Sequence, residues 1–82
     1  MKAKIYITLK KGVLDPQGKA IQGSLAHLGF DGVDDVKQGK FIEVKLNENN
    51  KEKAEKQIGD MCEKLLANTV IEDYKFEIVE AA

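Results

Sequence analysis

The order in which strand-like and helix-like apolar patterns follow one another limits the fold of this sequence more than any other feature. A two-residue period marks one segment near each end of the chain, and such a period is typical of a strand that is buried on one face only. The residues of the buried faces are Ala3, Ile5, Ile7 and Leu9 in the first segment and Tyr74, Phe76 and Ile78 in the last. We therefore expect a strand at each end.

A first helix is predicted directly after the opening strand. Asp15 can cap free backbone N–H groups, and Pro16 at the first helical position has no N–H to satisfy. The helix should run to about Leu28, because Gly29 is a natural stop. Its apolar stripe consists of Ile21, Leu25 and Leu28.

The middle of the chain predicts a hairpin. The stretches 33–37 and 41–46 flank Gln38 and Gly39, and the glycine would take the positive φ that a tight turn needs. The first of these stretches does not alternate cleanly, so we expect a bulge there.

A second helix is predicted from a cap at Asn49 or Asn50 to about Ala67, where Asn68 would close it in a left-handed conformation. Cys62 lies on the apolar face of this helix, so its thiol is expected to be inert packing. It is the one cysteine of the chain and cannot form an internal disulfide.

The resulting order is strand, helix, strand, strand, helix, strand. We predict one α+β domain over residues 1–82, a two-layer βαββαβ sandwich of the ferredoxin-like kind, with a four-stranded antiparallel sheet and both helices on one face. A chain of 82 residues has a small core, so association would help to stabilise it. The other sheet face would carry scattered apolar residues or a self-association surface, and we favour the second: Tyr6, Thr8, Phe41 and Val79.

Composition removes several classes of function. All 13 basic residues are lysines, the formal net charge is -1, and no arginine offers its bidentate fork to bases or phosphates. We therefore expect no nucleic-acid partner, and a small phosphate-binding hydrolase of the acylphosphatase type is excluded too. No apolar run reaches the roughly 20 residues of a membrane helix, and the polar start does not resemble a signal peptide, so we expect a cytoplasmic protein without a membrane partner.

No set of residues assembles a complete active site. His27 is the only histidine, and no second one completes a metal site. The segment Lys10-Lys11-Gly12 precedes a helix N-terminus, which could attract an anion, but Asp15 competes for the same N–H groups. A capped helix start is the simpler interpretation.

The glycine three residues after Asp15 is not explained by the helix cap. Gly18 lies in the first turn of the helix, where alanine would be better by up to ~1 kcal/mol. We expect it to admit another backbone or a non-helical angle, and Gly18→Ala to leave the fold intact or slightly more stable while weakening assembly. The predicted partner-docking turn comprises Lys10, Lys11, Gly12, Asp15, Pro16, Gln17 and Gly18.

Four stretches of the sequence resemble the PurS family, the small subunit of phosphoribosylformylglycinamidine synthase. The most specific is the run Gly-Val-Leu-Asp-Pro-Gln-Gly within residues 9–20. Residues 28–30, 36–40 and 66–74 resemble the family at the expected distances, so that the resemblance covers essentially the whole chain.

The resemblance implies a non-catalytic role in purine biosynthesis. In such families the complex converts formylglycinamide ribonucleotide, ATP and glutamine into formylglycinamidine ribonucleotide, so it is an ATP-dependent carbon-nitrogen ligase with glutamine as amide donor. The synthetase PurL and the glutaminase PurQ would be joined by a PurS homodimer or homotetramer. ATP, magnesium and glutamine would be used by the complex, and this chain itself would bind no cofactor. The alternative is a small-molecule-binding regulatory domain on the same fold.

Overall fold

A computed structural model describes residues 1–80 of the 82-residue chain. Over these residues the chain forms three strands and two helices, in the order β1, α1, β2, α2, β3. The strands are β1 (Lys2–Leu9), β2 (Lys40–Lys45) and β3 (Glu72–Val79), and the helices are α1 (Pro16–His27) and α2 (Lys51–Met61). The α+β class and the two predicted helices are therefore confirmed.

The sheet is antiparallel, with the strand order β2-β1-β3. Ile5 of the central strand lies opposite Ile42 and Phe76, so the alternating apolar residues of all three strands share one face. On that face Ile5 is fully buried against a core to which α2 contributes Ile58 and the residue directly after α2 contributes Cys62. The two-residue period of the terminal strands is thus confirmed.

The prediction of a fourth strand is wrong. The chain from residue 33 to residue 39 has no regular secondary structure, and it lies along α1 instead of pairing with β2. The Gln22 side chain donates a hydrogen bond of 3.0 Å to the carbonyl oxygen of Asp34. Two adjacent aspartates interrupt the apolar alternation there, so the segment has no continuous apolar face to bury against a sheet.

The predicted turn at Gly39 is also wrong. Within residues 1–80 a positive φ occurs only at Gly12 and Gly29. Gly39 instead lies directly before β2, where the chain passes close to β1. A Cβ atom at Gly39 would lie 2.6 Å from the carbonyl oxygen of Ile7. The positive φ of 99° at Gly29 fits its predicted place as the stop of α1.

The second helical segment begins and ends close to the predicted residues, but its last part is not α-helical. Of the two candidate caps, Asn50 is the one used, and its Oδ1 accepts from the Lys53 N–H at 3.1 Å. The helix continues beyond Met61 as one π-helical stretch, Cys62–Leu66. Asn68 is not left-handed; its side chain accepts a hydrogen bond from the Val70 N–H and shapes the turn into β3.

The prediction that both helices lie on one sheet face is wrong, because α1 leaves the sheet. Residues 10–39, here called the arm, extend from the end where β1 stops and β2 starts. The apolar side chains of α1 do not join the core formed within residues 1–80. The radius of gyration is 16.2 Å, against about 12 Å for a compact domain of this length. The chain measures 49 × 31 × 14 Å, so it is long and thin.

Neither helix in the described part of the chain is long and apolar enough to span a bilayer.

Candidate functional site

The turn between β1 and α1 is fixed at its base and exposed at its tip. The Lys10 N–H donates to the carbonyl oxygen of Ile71 at 2.8 Å, and the Val13 N–H donates to that of Lys10 at 3.1 Å. Gly12 has a φ of 90°, a value that glycine adopts without steric cost in a tight turn. Lys11 and Gly12 are therefore presented to solvent on a rigid frame.

Asp15 links the start of α1 to the segment that leads from α1 to β2. Its Oδ1 accepts from the Gly18 N–H at 2.9 Å, which confirms the predicted cap, and its Oδ2 accepts from the Gln38 N–H at 2.9 Å. The hydrogen bond from Gln38, followed by that from Gly18, lowers the pKa of the Asp15 carboxyl. Because the carboxylate already takes these donors, the helix start is a poor anion site. Pro16 and Gln17 beside it are exposed.

We expect Asp15→Asn to remove a stabilisation that depends on pH. The folded pKa lies below the ordinary value of 3.8, so the carboxylate stabilises the fold above that pH, and this stabilisation is lost as the pH falls through the folded pKa. Thermal melts between neutrality and about pH 2 should therefore show a wild-type advantage that shrinks in acid. Asp31→Asn, at an exposed loop aspartate outside the cap, makes the same change of residue type and is the matched control.

The close backbone approach expected at Gly18 exists, but it occurs within the chain. Gly18 is the one buried residue of α1, and a Cβ atom there would collide with the carbonyl oxygen of Val36 and lie 2.8 Å from Oδ2 of Asp15. The expectation that Gly18→Ala leaves the fold intact is therefore wrong. The glycine lets the two sides of the arm pack together.

Gly18→Ala should lower the free energy of unfolding by about 1–3 kcal/mol, since the backbone of the arm must move to make room. Gly23 offers a matched control on the same helix, because nothing lies within 4 Å of the position of its missing Cβ. Gly23→Ala should raise stability by up to ~1 kcal/mol. Urea titrations of both variants measure the difference, and equal midpoints would contradict the packing of the arm.

One exposed residue of the predicted docking turn is not among the residues singled out from the sequence. Leu14 is 72% exposed at the residue before the cap. An apolar residue there usually packs against another at the fourth helical position, which here is Lys19. Because Lys19 is not apolar, the sequence already indicates that Leu14 has no apolar partner on the helix and stays exposed. Its side chain borders a surface groove of about 420 Å³, together with Lys11, Val36 and Lys37.

The open sheet face brings together only part of the predicted self-association surface. The rings of Tyr6 and Phe41 lie 5.1 Å apart between centroids, and Phe41 is 52% exposed. Lys75 Nζ lies 5.7 Å from the centre of the Tyr6 ring. Thr8 is the next residue of β1 on this face, whereas Val79 pairs with Lys2, four residues of β1 away from Tyr6 in register.

The remaining candidates are the one cysteine and the one histidine of the chain. Cys62 is fully buried, and burial raises the pKa of its thiol, which disfavours the reactive thiolate. The sole histidine, His27, is exposed. Over residues 1–80 no three side chains of histidine, cysteine, aspartate or glutamate lie close enough to share a metal ion. Two surfaces remain as candidates: the predicted docking turn and the open face around Tyr6 and Phe41.

Comparison with known sequences finds the same family over the whole described chain. Residues 2–80 match the family model of PurS, phosphoribosylformylglycinamidine (FGAM) synthase. The phosphoribosylformylglycinamidine synthase subunit PurS of Synechocystis is 52% identical over 92% of this chain and 75% of its own length.

Solved structures share the fold as well. The structure of PurS from Methanocaldococcus jannaschii, one of the subunits of formylglycinamide ribonucleotide amidotransferase, has a TM-score of 0.88 at 44% identity and covers 99% of this chain and 98% of its own. A chain of the PurLQS structure from Thermotoga maritima has a TM-score of 0.85 at 33% identity, with 93% of both chains covered.

Proposed function

This chain belongs to the PurS family, and we propose that it joins the glutaminase PurQ to the synthetase PurL in phosphoribosylformylglycinamidine synthase. The observation that carries the proposal is the family match over residues 2–80 together with the likeness to a chain of PurLQS. The chain is a subunit of this purine-biosynthesis ligase. As an assembly subunit it would have no catalytic activity on its own. In its complex, ATP and glutamine would be consumed in the conversion of formylglycinamide ribonucleotide to formylglycinamidine ribonucleotide, with magnesium as the companion of ATP.

The features of the chain support assembly through surfaces. Cys62 is buried and His27 is exposed. The exposed apolar side chains lie on the arm (Leu14, Ile21, Leu28 and Phe30), on the open sheet face (Tyr6, Phe41 and Val79) and between α2 and β3 (Leu65, Val70 and Ile71). Leu14 is suited to enter a pocket of a partner, while Lys10 and Lys11 beside it would set the orientation by charge. We propose that the turn from Lys10 to Gly18 contacts PurL or PurQ.

We further propose that the chain works as one domain that self-associates as a dimer or tetramer, in the cytoplasm. The open face contributes Tyr6, Thr8, Phe41 and Val79 to this contact. Support comes from the exposed aromatic pair on the sheet and from the small core, to which α1 adds nothing. A second subunit would remove the exposed ring surface from water.

A regulatory domain with a bound effector is not favoured, because the relatives over the whole chain are synthase subunits. A pull-down with the tagged chain tests the difference directly. Recovery of both the glutaminase and the large synthetase is expected. Recovery of neither, with tight binding of a metabolite instead, would overturn the assembly role.

A further inference from the structure

Three exposed apolar side chains, here called the end patch, lie between the end of α2 and the start of β3. Leu65 and Val70 are each 81% exposed, and Ile71 is 38% exposed. The end patch lies at the end of the sheet where β1 stops and β3 starts, which is also the end that carries the docking turn. Large apolar side chains that are exposed as a group mark a contact with another molecule.

The exposure of Leu65 results from the π-helical stretch that follows α2. Leu65 follows Ile58 by seven residues and Cys62 by three, so a continued α-helix would place it on the buried face with both. The Ala67 N–H instead donates to the carbonyl oxygen of Cys62, five residues back, at 3.0 Å, and this wider turn shifts the buried face by one residue. Leu66 is half-buried, Ala67 is buried and Leu65 points outward. Such π-helical stretches occur frequently at functional sites.

The exposure of Val70 is fixed by the turn that begins at Asn68. The Asn68 side chain accepts from the Val70 N–H at 3.2 Å, and the Asn68 carbonyl oxygen accepts from the Ile71 N–H at 3.0 Å. The Asn68 N–H donates to Oε1 of Glu72 at 2.7 Å. These hydrogen bonds present Val70 to solvent on a rigid support. A side chain held in this way loses little conformational entropy when it binds a partner.

The docking turn is connected to the end patch by direct contacts. The Lys10 N–H donates to the carbonyl oxygen of Ile71 at 2.8 Å, and Lys10 Nζ lies 4.0 Å from Oδ1 of Asp73. The Val13 N–H donates to the carbonyl oxygen of Lys10, which ties the exposed Leu14 beside it to the same support. The turn and the end patch are therefore continuous.

The charges around this surface favour a partner that carries carboxylates. Within residues 1–80 neither Lys11 nor Lys64 forms an ion pair. The carboxylates of Glu72 and Asp73 already pair with lysines of the chain, and that of Glu63 accepts a hydrogen bond from a tyrosine hydroxyl at 2.9 Å. The two unpaired lysines remain available to carboxylates of a partner, and such complementarity of charge orients protein contacts.

We infer that the end patch extends the docking turn into one binding surface, and that a single enzyme, PurL or PurQ, covers it with apolar side chains bordered by carboxylates. The inference rests on the proposed function and specifies where that enzyme binds. An apolar centre with a polar rim is the usual anatomy of such contacts. A second copy of the chain fits less well, because a twofold contact would bring the patch and its unpaired lysines against themselves.

The first test is reconstitution of glutamine-dependent turnover with PurL and PurQ at limiting amounts of the chain. Leu65→Glu should restore turnover at least about 10-fold less well than the wild type, because it places a carboxylate in the apolar centre of the contact. Val70→Asp makes the same test outside the helix and should behave alike. Gln57→Glu adds the same charge at an exposed position of α2 and should restore turnover like the wild type.

Folding and binding are separated by thermal melts of the free variants, which should match the wild type because the end patch lies outside the core. Wild-type turnover with Leu65→Glu and Val70→Asp would overturn the inference. Turnover that needs no chain at all would instead overturn the proposed function.

The second test addresses the carboxylates of the partner. Lys64→Glu should raise the concentration of chain needed for half-maximal turnover by about 10-fold at low salt and by less at high salt, because salt screens contacts between charges. Lys56→Glu, the same change at an exposed position of α2, should have no such effect. Equal behaviour of the two variants would overturn the charged rim.

The third test identifies the enzyme that covers the surface. A benzophenone amino acid is placed at Val70 in one preparation of the chain and at Leu14 in another, and each is irradiated within the reconstituted complex. Both positions should cross-link to the same enzyme, and the same probe at Gln57 should cross-link to neither. Capture of different enzymes at the two positions, or of another copy of this chain at Val70, would overturn the single surface while leaving the assembly role intact.

Discussion

PurL and PurQ mixed without this chain should lose glutamine-dependent turnover by roughly 100-fold or more, and addition of the chain should restore it. The reason is effective concentration: a subunit that binds both enzymes converts their encounter into an event within one complex, which gains factors of this size without new chemistry. Turnover with ammonia in place of glutamine is the control, because it bypasses the glutaminase and should not respond to the chain. Full glutamine-dependent turnover in the absence of this chain would contradict the proposed function.

The same reconstitution separates the docking turn from the rest of the chain. Leu14→Asp should restore turnover at least about 10-fold less well at limiting protein, because it places a charge where an apolar anchor enters a partner. Asp31→Asn, in an exposed loop of the arm, should restore turnover like the wild type. If Leu14→Asp matched the wild type, the turn would not be the contact with PurL or PurQ.

Phe41→Asp should halve the molar mass of the free protein. Phe41 is 52% exposed within one chain, so the substitution leaves the core intact, whereas in a contact between open faces it buries an unpaired carboxylate at a cost of several kcal/mol. Phe41→Leu keeps an apolar side chain beside Tyr6 and should retain the assembly. Light scattering on a folded Phe41→Asp protein that showed an unchanged mass would place the interface elsewhere.

Local sequence patterns predicted two kinds of element correctly. One kind is a strand that is buried on one face, and the other is a helix start whose capping contact lies within a few residues. The alternation from Ala3 to Leu9 predicted β1, and the cap at Asp15 predicted the start of α1. For α2 the sequence left Asn49 and Asn50 as candidate caps, and the structure selects Asn50. A cap is a contact over three residues, so its chemistry can be read without knowledge of the rest of the molecule.

The fourth strand shows where local reasoning fails. Two short apolar stretches around Gln38 and Gly39 met the requirements of a hairpin, yet β2 pairs with β1 and the segment before it lies against α1. Pairing depends on which surfaces compete for a strand, and that competition involves residues far apart in the chain. Gly18 is similar: the sequence indicated a close backbone approach, and only the structure identified Val36 as the backbone that approaches.

By itself the sequence determined the secondary structure of both ends, the helix starts, the lack of arginine chemistry and the family. It also determined that α1 has an apolar stripe with few charges, because these are properties of spacing and residue type. The tertiary structure decided the three-stranded sheet, the course of the arm and the exposure of Ile21 and Leu28. The physical reason is that apolar periodicity indicates that a surface is buried without indicating what covers it, and the covering surface is decided by contacts between segments that are far apart in the chain.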